Sequence, residues 1–100
     1  MFNYNELTKT LIIQPTFNEN LVDLPNDVEI IIFDDKYPNY SNFNQNVDKL
    51  PPNLTHLTFG YVFNQNVVNL PFTIQKIIID NKNKIHLFKK IPYGCILVYV

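Results

Sequence analysis

The apolar positions of this chain fall on a ladder that repeats. After Leu24-Pro25 come Val28, Ile31 and Phe33, after Leu50-Pro51 come Leu54, Leu57 and Phe59, and after Leu70-Pro71 come Ile74, Ile77 and Ile79. A degenerate fourth copy places Ile91-Pro92 where Leu-Pro should stand and puts Cys95, Val98 and Val100 on the three ladder positions. Counting back from Phe17, Leu11 and Ile13 take the last two positions of a leading copy. Each ladder ends in apolar alternation of period two, the signature of a strand with one buried face. Short strands are predicted near residues 10–14, 30–34, 56–60, 76–80 and 96–100.

The polar positions between the ladders repeat as well. Phe17-Asn18-Glu19-Asn20, Phe43-Asn44-Gln45-Asn46 and Phe63-Asn64-Gln65-Asn66 keep one register with the Leu-Pro pairs. Phe43 to Phe63 is 20 residues and Phe17 to Phe43 is 26, so the first unit carries a six-residue insertion. A short fixed period marks a solenoid, in which a unit too small to bury its apolar face alone stacks on copies of itself. Successive strands that are about 20 residues apart, with no Asn-Gly or Asp-Gly hairpin turn, should run parallel, with each return leg crossing the far side of the coil. Proline at the end of each leg removes a donor and excludes helix from the residue before it. The expected fold is mainly β: a short solenoid with a parallel sheet of about five short strands and irregular or 3₁₀ return legs. Residues 1–9 would form an N-terminal cap segment, and 10–100 about four units, with the insertion at 34–42 and a degenerate last unit.

In such a coil Phe17, Phe43 and Phe63 should stack as an internal column, each contributing roughly 1.5–3 kcal/mol by burial. Asn18, Asn44 and Asn64 beside them form a structural ladder, in which buried amides satisfy backbone groups of neighbouring coils. With the ladder residues pointing inward, alternation sends their neighbours to the outer face of the sheet. One outward row is Ile12, Ile32, Thr58, Ile78 and Tyr99. The row before it is Thr10, Ile30, His56, Lys76 and Leu97, and the row after it includes Gln14, Asp34 and Asp80. A solvated strand face is ordinarily polar, and contiguous exposed apolar surface marks interaction sites. The outward face is therefore the expected protein-binding surface; the bland alternative is a biased codon usage filling a half-covered face with isoleucine.

The insertion is a second candidate. Residues 34–42 carry Pro38, Tyr37 and Tyr40, which the regular coil does not need, and tyrosines on loops supply contact area at low entropic cost. Slippage during repeat evolution accounts for it equally well. The ends need cover too, since terminal coils expose apolar faces and unpaired strand edges. Phe2, Tyr4 and Leu7 could plug the first coil, whereas the last ladder has no such segment, so self-association through the terminal strand edge is expected.

Composition and chemistry narrow the function classes. The chain has 100 residues, net charge −1 and pI near 6.0, and all eight basic residues are lysine. Without arginine or a basic field, nucleic-acid binding is not expected. No apolar run approaches the ~18–20 residues of a membrane span, and the N-terminus lacks the regions of a signal peptide, so a cytoplasmic location is expected. One cysteine excludes an internal disulfide framework. Cys95 falls on a core position where a thiol acts as a small hydrophobe. His56 and His86 have no partner at metal-ligand spacing. Asp34-Asp35 read as turn-capping carboxylates rather than a calcium or acid-base pair. Gly60 follows the second ladder, where permissive backbone geometry suits the turn. No catalytic, cofactor or metal site is expected.

The Phe-Asn-Gln-Asn and Leu-Pro-x-x-Leu-x-x-Leu-x-Phe-Gly pattern, complete in residues 43–66, resembles the FNIP repeat, a relative of the leucine-rich repeat found in social amoebae and in giant DNA viruses of amoebae. The resemblance covers residues 11–80 and extends weakly over the rest; unit four has Asn83-Lys84 in place of Phe-Asn. It implies a leucine-rich-repeat-like solenoid serving as a non-catalytic protein-interaction scaffold, in the host cytoplasm if viral. Family repeats often follow an F-box, but nine residues before the first strand are too few for one, so a ubiquitin role would need a separate partner. The alternative is a viral structural or assembly protein that self-associates through its terminal strand.

Overall fold

The period-two ladder requires strands in which every second residue is buried, and the chain folds that way. The computed structural model describes residues 2–100. It contains one six-stranded sheet in chain order: β1 (Phe2–Asn5), β2 (Thr10–Ile13), β3 (Ile30–Phe33), β4 (His56–Thr58), β5 (Lys76–Ile79) and β6 (Ile96–Tyr99). β2 to β6 are parallel, and β1 runs antiparallel to β2. The protein is a mainly β solenoid of about four turns. In β2 to β5 the ladder residues lie on the core side: Leu11, Ile13, Ile31, Phe33, Leu57, Ile77 and Ile79 are all buried, and the residues between them are half-buried.

The Leu-Pro turns set where each strand begins. The N–H groups of Val28, Leu54 and Ile74 donate to the carbonyls of Pro25, Pro51 and Pro71 at 3.3, 3.3 and 3.1 Å. These are β-turns, closed three residues on from each proline. One residue then follows before the strand, and a column of carbonyls binds the coils there. The Lys9 carbonyl accepts from Glu29 and Ile30, that of Glu29 from Thr55 and His56, and that of Thr55 from Gln75 and Lys76.

In the last coil this spacing fails, which corrects the expected register. Cys95 N–H donates to the Pro92 carbonyl at 3.1 Å, as in the other turns, but the third turn residue is Gly94 at φ +85. That left-handed value gives the type II form, which glycine adopts without steric cost. Ile96 enters the strand directly, without the intervening residue that Glu29, Thr55 and Gln75 supply elsewhere. Leu97 therefore pairs with buried Ile77, and Val98 with outward Ile78. Leu97, rather than Val98, packs against the core, beside half-buried Cys95.

β1 pairs along the N-terminal edge of the sheet. Phe2 sets its ring edge-on to Phe17 at 5.0 Å, and Tyr4 packs against the core. Leu7, expected as a plug, lies in the connecting turn and is 95% exposed. The return legs are irregular except for the 3₁₀ segment Lys82–Leu87. Its first turn is capped by Asn81, whose side chain accepts from Asn83 N–H at 2.9 Å; such a cap satisfies one of the donors a helix start leaves free.

Candidate protein-binding face

The outer face of the sheet follows from the register. Ile12, Ile32, Thr58, Ile78 and Val98 are successive neighbours across β2 to β6, and all five are half-buried. The flanking row is Thr10, Ile30, His56, Lys76 and Ile96. At parallel-strand spacing of about 4.8 Å, the central row extends roughly 19 Å with one hydroxyl and no charge. On β1, Asn3 and Asn5 stand beside Ile12 and Thr10 and make its N-terminal margin polar.

Two residues expected on this face are not there. Leu97 and Tyr99 pair with Ile77 and Ile79, which point to the core, and Val98 and Ile96 take their places on the outer rows. The Pro-anchored spacing alone missed this; the Tyr93-Gly94 pair was the local signal, since glycine in the third turn position permits the other turn form. His56 is on the face as expected, with Nδ1 2.8 Å from the Thr55 hydroxyl.

The insertion stands at the end of the same face. Tyr37 and Tyr40 meet edge-on at 6.2 Å, and Tyr40 leans on Tyr61 of the next coil at 5.0 Å. With Pro15, Pro38, Gln14 and Asp34 they line an open groove of about 1010 Å³. The loop is pinned from beneath. Asp35 Oδ1 accepts from Ser41 N–H at 2.7 Å and from Tyr61 N–H at 3.2 Å. Gly60 lies directly above this contact: a Cβ there would come 2.5 Å from that of Ser41 and 3.0 Å from Asp35 Oδ1. Its φ is not in the left-handed region, so a side chain is excluded here by the packed insertion rather than by backbone strain.

Away from the sheet, the repeated Phe-Asn pair holds coils together. Phe17, Phe43 and Phe63 stack at 6.1 and 6.0 Å with nearly parallel rings, and all three are buried. Asn18 Oδ1 accepts from Asn44 N–H at 2.8 Å, and Asn44 Oδ1 from Asn64 N–H at 2.8 Å. Gln45 and Gln65 add bonds from their amides to the same two asparagines, at 3.0 and 3.1 Å. The asparagine side chains are not buried: Asn18 and Asn64 are exposed and Asn44 half-exposed. They reach their backbone partners along the rim of the coil.

Lys84 occupies the next position in that register. Its ammonium pairs with Asp80 Oδ1 at 2.8 Å, donates to the carbonyls of Gly60 and Tyr61, and stands 5.6 Å above the Tyr61 ring. Asp80 Oδ1 is buried, and this ammonium is its compensation. At the opposite corner Lys9 and Tyr4 both meet Asp27, at 2.9 Å each. The Lys9 ammonium, with the Tyr4 hydroxyl next, holds the Asp27 carboxyl below its ordinary value. Lys9 is raised by its bond to Asp27, and Tyr4 by desolvation and then Asp27.

None of these arrangements brings a nucleophile to a base. Cys95 is half-buried, and burial pushes its thiol upward, away from the thiolate a nucleophile needs. His86 Nδ1 meets the Asn83 carbonyl at 2.7 Å, 30 residues from His56 in sequence. Among the described residues no group of three His, Cys, Asp or Glu could hold a metal ion, and no helix is long and apolar enough to cross a membrane.

Residues 43–82 match the family model of the FNIP repeat. This segment runs from the second Phe-Asn pair through β5, and includes one complete Leu-Pro ladder on each side of Phe63. No curated protein and no solved structure matches the chain.

Proposed function

We propose that this FNIP-repeat coil is a non-catalytic scaffold that binds a protein partner on the outer face of its sheet. The observation that carries the reading is the unbroken row Ile12, Ile32, Thr58, Ile78 and Val98 across five parallel strands. Extended apolar surface of this kind is costly to leave in water and is gained back when a partner covers it. His56 and Lys76 on the flanking row supply polar contacts at the margin, as interface rims do. The tyrosine groove adjoins the row through Gln14 and Asp34, so a partner lying along the sheet can extend into it. Aromatic side chains of that kind anchor interfaces out of proportion to their number.

In this reading the chain takes no cofactor, metal or nucleic acid and acts in the cytoplasm, that of the host if the chain is viral. The reading is tested by replacing Ile32 and Ile78 with Lys, leaving the ladder residues intact, and comparing partner recovery with thermal melting. Lost recovery at unchanged melting supports it. Unchanged recovery removes the face assignment, and a partner that then depends on Tyr37 and Tyr40 moves the site to the groove.

A further inference from the structure

The two edges of the sheet are treated differently. At the N-terminal edge, β1 presents Asn3 and Asn5 on the outer face. Edge strands are kept from pairing with other chains by polar, charged or proline residues and by irregularity. β6 has none of these: residues 95–100 read Cys-Ile-Leu-Val-Tyr-Val, and Ile96, Tyr99 and Val100 are exposed by 61, 51 and 84%.

The backbone is equally open. Ile96 N–H donates to the Gln75 carbonyl at 2.9 Å and Val100 N–H to that of Ile79 at 3.3 Å. In a parallel ladder alternate residues serve one neighbour. Ile96, Val98 and Val100 therefore face β5, and the N–H and C=O groups of Leu97 and Tyr99 point to the free edge. Among the described residues no strand meets them.

We propose that β6 pairs antiparallel with β6 of a second copy of this chain, about a two-fold axis between the two Val98 residues. The strand is its own complement in that register. Leu97 and Tyr99, the two residues with outward backbone groups, lie symmetrically about Val98, so each exchanges both hydrogen bonds with the other residue of the second copy. On the outer face Val98 meets Val98 and Ile96 meets Val100, and on the core side Leu97 meets Tyr99. β-Branched and aromatic pairs of this kind stabilise antiparallel strands, and no like charges are opposed. Because the axis is perpendicular to the sheet, both cores remain on one side and the apolar row runs on from one copy into the other. An edge of five residues buries well below the roughly 1,200 Å² of a stable interface, so the association is reversible and concentration-dependent.

The register makes a sharp test, because position 98 meets itself. Sedimentation velocity of the full chain from about 10 µM to about 1 mM should show a monomer–dimer equilibrium. Val98→Lys and Val98→Glu should each weaken it by about tenfold or more, since like charges are then directly opposite, and their equimolar mixture should restore it. Thr58→Lys, on the same row but inside the sheet, should leave it unchanged. A wild-type monomer throughout, a mixture no better than either variant alone, or equal loss with Thr58→Lys would each overturn the proposal. If the charged variants fail to fold, Tyr99→Pro removes an outward N–H without touching a bond to β5; undiminished association in that variant would overturn it as well.

Discussion

The coils of residues 43–82 and the last coil, 83–100, have the same outline but are fastened differently. In the first segment a phenylalanine column and a chain of amide-to-backbone bonds tie each coil to the next through equivalent atoms. In the last coil the residues at those two positions are Asn83 and Lys84, and neither continues the chain. An ion pair takes over: Lys84 reaches back to the carbonyls of the Gly60-Tyr61 turn while compensating buried Asp80. Leu87 is buried at the position that Val47 and Val67 hold in the earlier coils, and Phe88 lies 5.8 Å from Phe59. The difference teaches that the repeat signature is one way of solving a general problem, the unpaired backbone groups and unfilled volume at each turn of the coil. A cation with carbonyl acceptors solves it once, but offers no acceptor to a following coil, whereas an asparagine both accepts and passes the arrangement on.

The contrast can be broken at its strongest point first. Phe63→Ala removes the ring shared by the column and by the contact to Phe59 at 3.9 Å, and should cost about 3–5 kcal/mol in urea unfolding. Phe88→Ala, at a half-buried position, should cost clearly less; equal losses would mean that the last coil is packed as tightly as the others. Lys84→Ala leaves the Asp80 carboxylate without its cation and should cost about 1.5–3 kcal/mol, measured the same way. Asn44→Ala removes the acceptor for Asn64 N–H and the Gln65 amide and should cost about 0.5–1.5 kcal/mol. Asn64→Ala should stay within about 0.5 kcal/mol, because among the described residues no donor meets its side chain.

The smallest effect lies at the Tyr4–Asp27–Lys9 corner. The Asp27 carboxyl is lowered in the folded state, so its contribution is complete above the ordinary carboxylate value of about 3.9 and is lost as pH falls through the lower folded value. Asp27→Asn should flatten this acid limb of a melting-temperature profile. Lys9 is raised, so its contribution is complete below the ordinary lysine value and is lost as pH rises through the folded one. An unchanged acid limb would place the acid sensitivity elsewhere.

Much of the fold was legible because the Leu-Pro ladder carries its own register. The starts of β2 to β6 lie where the alternation put them, and every ladder residue of the first three units is buried. β1 was not legible as a strand, since Phe2-Asn3-Tyr4-Asn5 is too short and too polar to announce one until the edge of β2 is there to receive it. The last register failed for a local reason: one residue of turn geometry at Gly94 outweighs the count from proline and turns every following side chain over. The outer row of the candidate face was readable as far as Ile78. The groove was not, because Tyr61 comes from another coil and meets the insertion only after folding.

The six extra residues of the first unit bear on how freely such units could be exchanged. Asp35 holds Ser41 and Tyr61 with one oxygen, Gly60 leaves the room, and Lys84 grips the same Gly60-Tyr61 turn from the far side. Three successive coils are thus fitted to one another by contacts that none of them repeats. Trimming the insertion to restore an even period, or shuffling the order of the coils, would preserve every residue of the repeat signature and still strip Tyr61 of its acceptor. A sequence that looks like interchangeable parts has become, along this seam, a set cut to fit in one order.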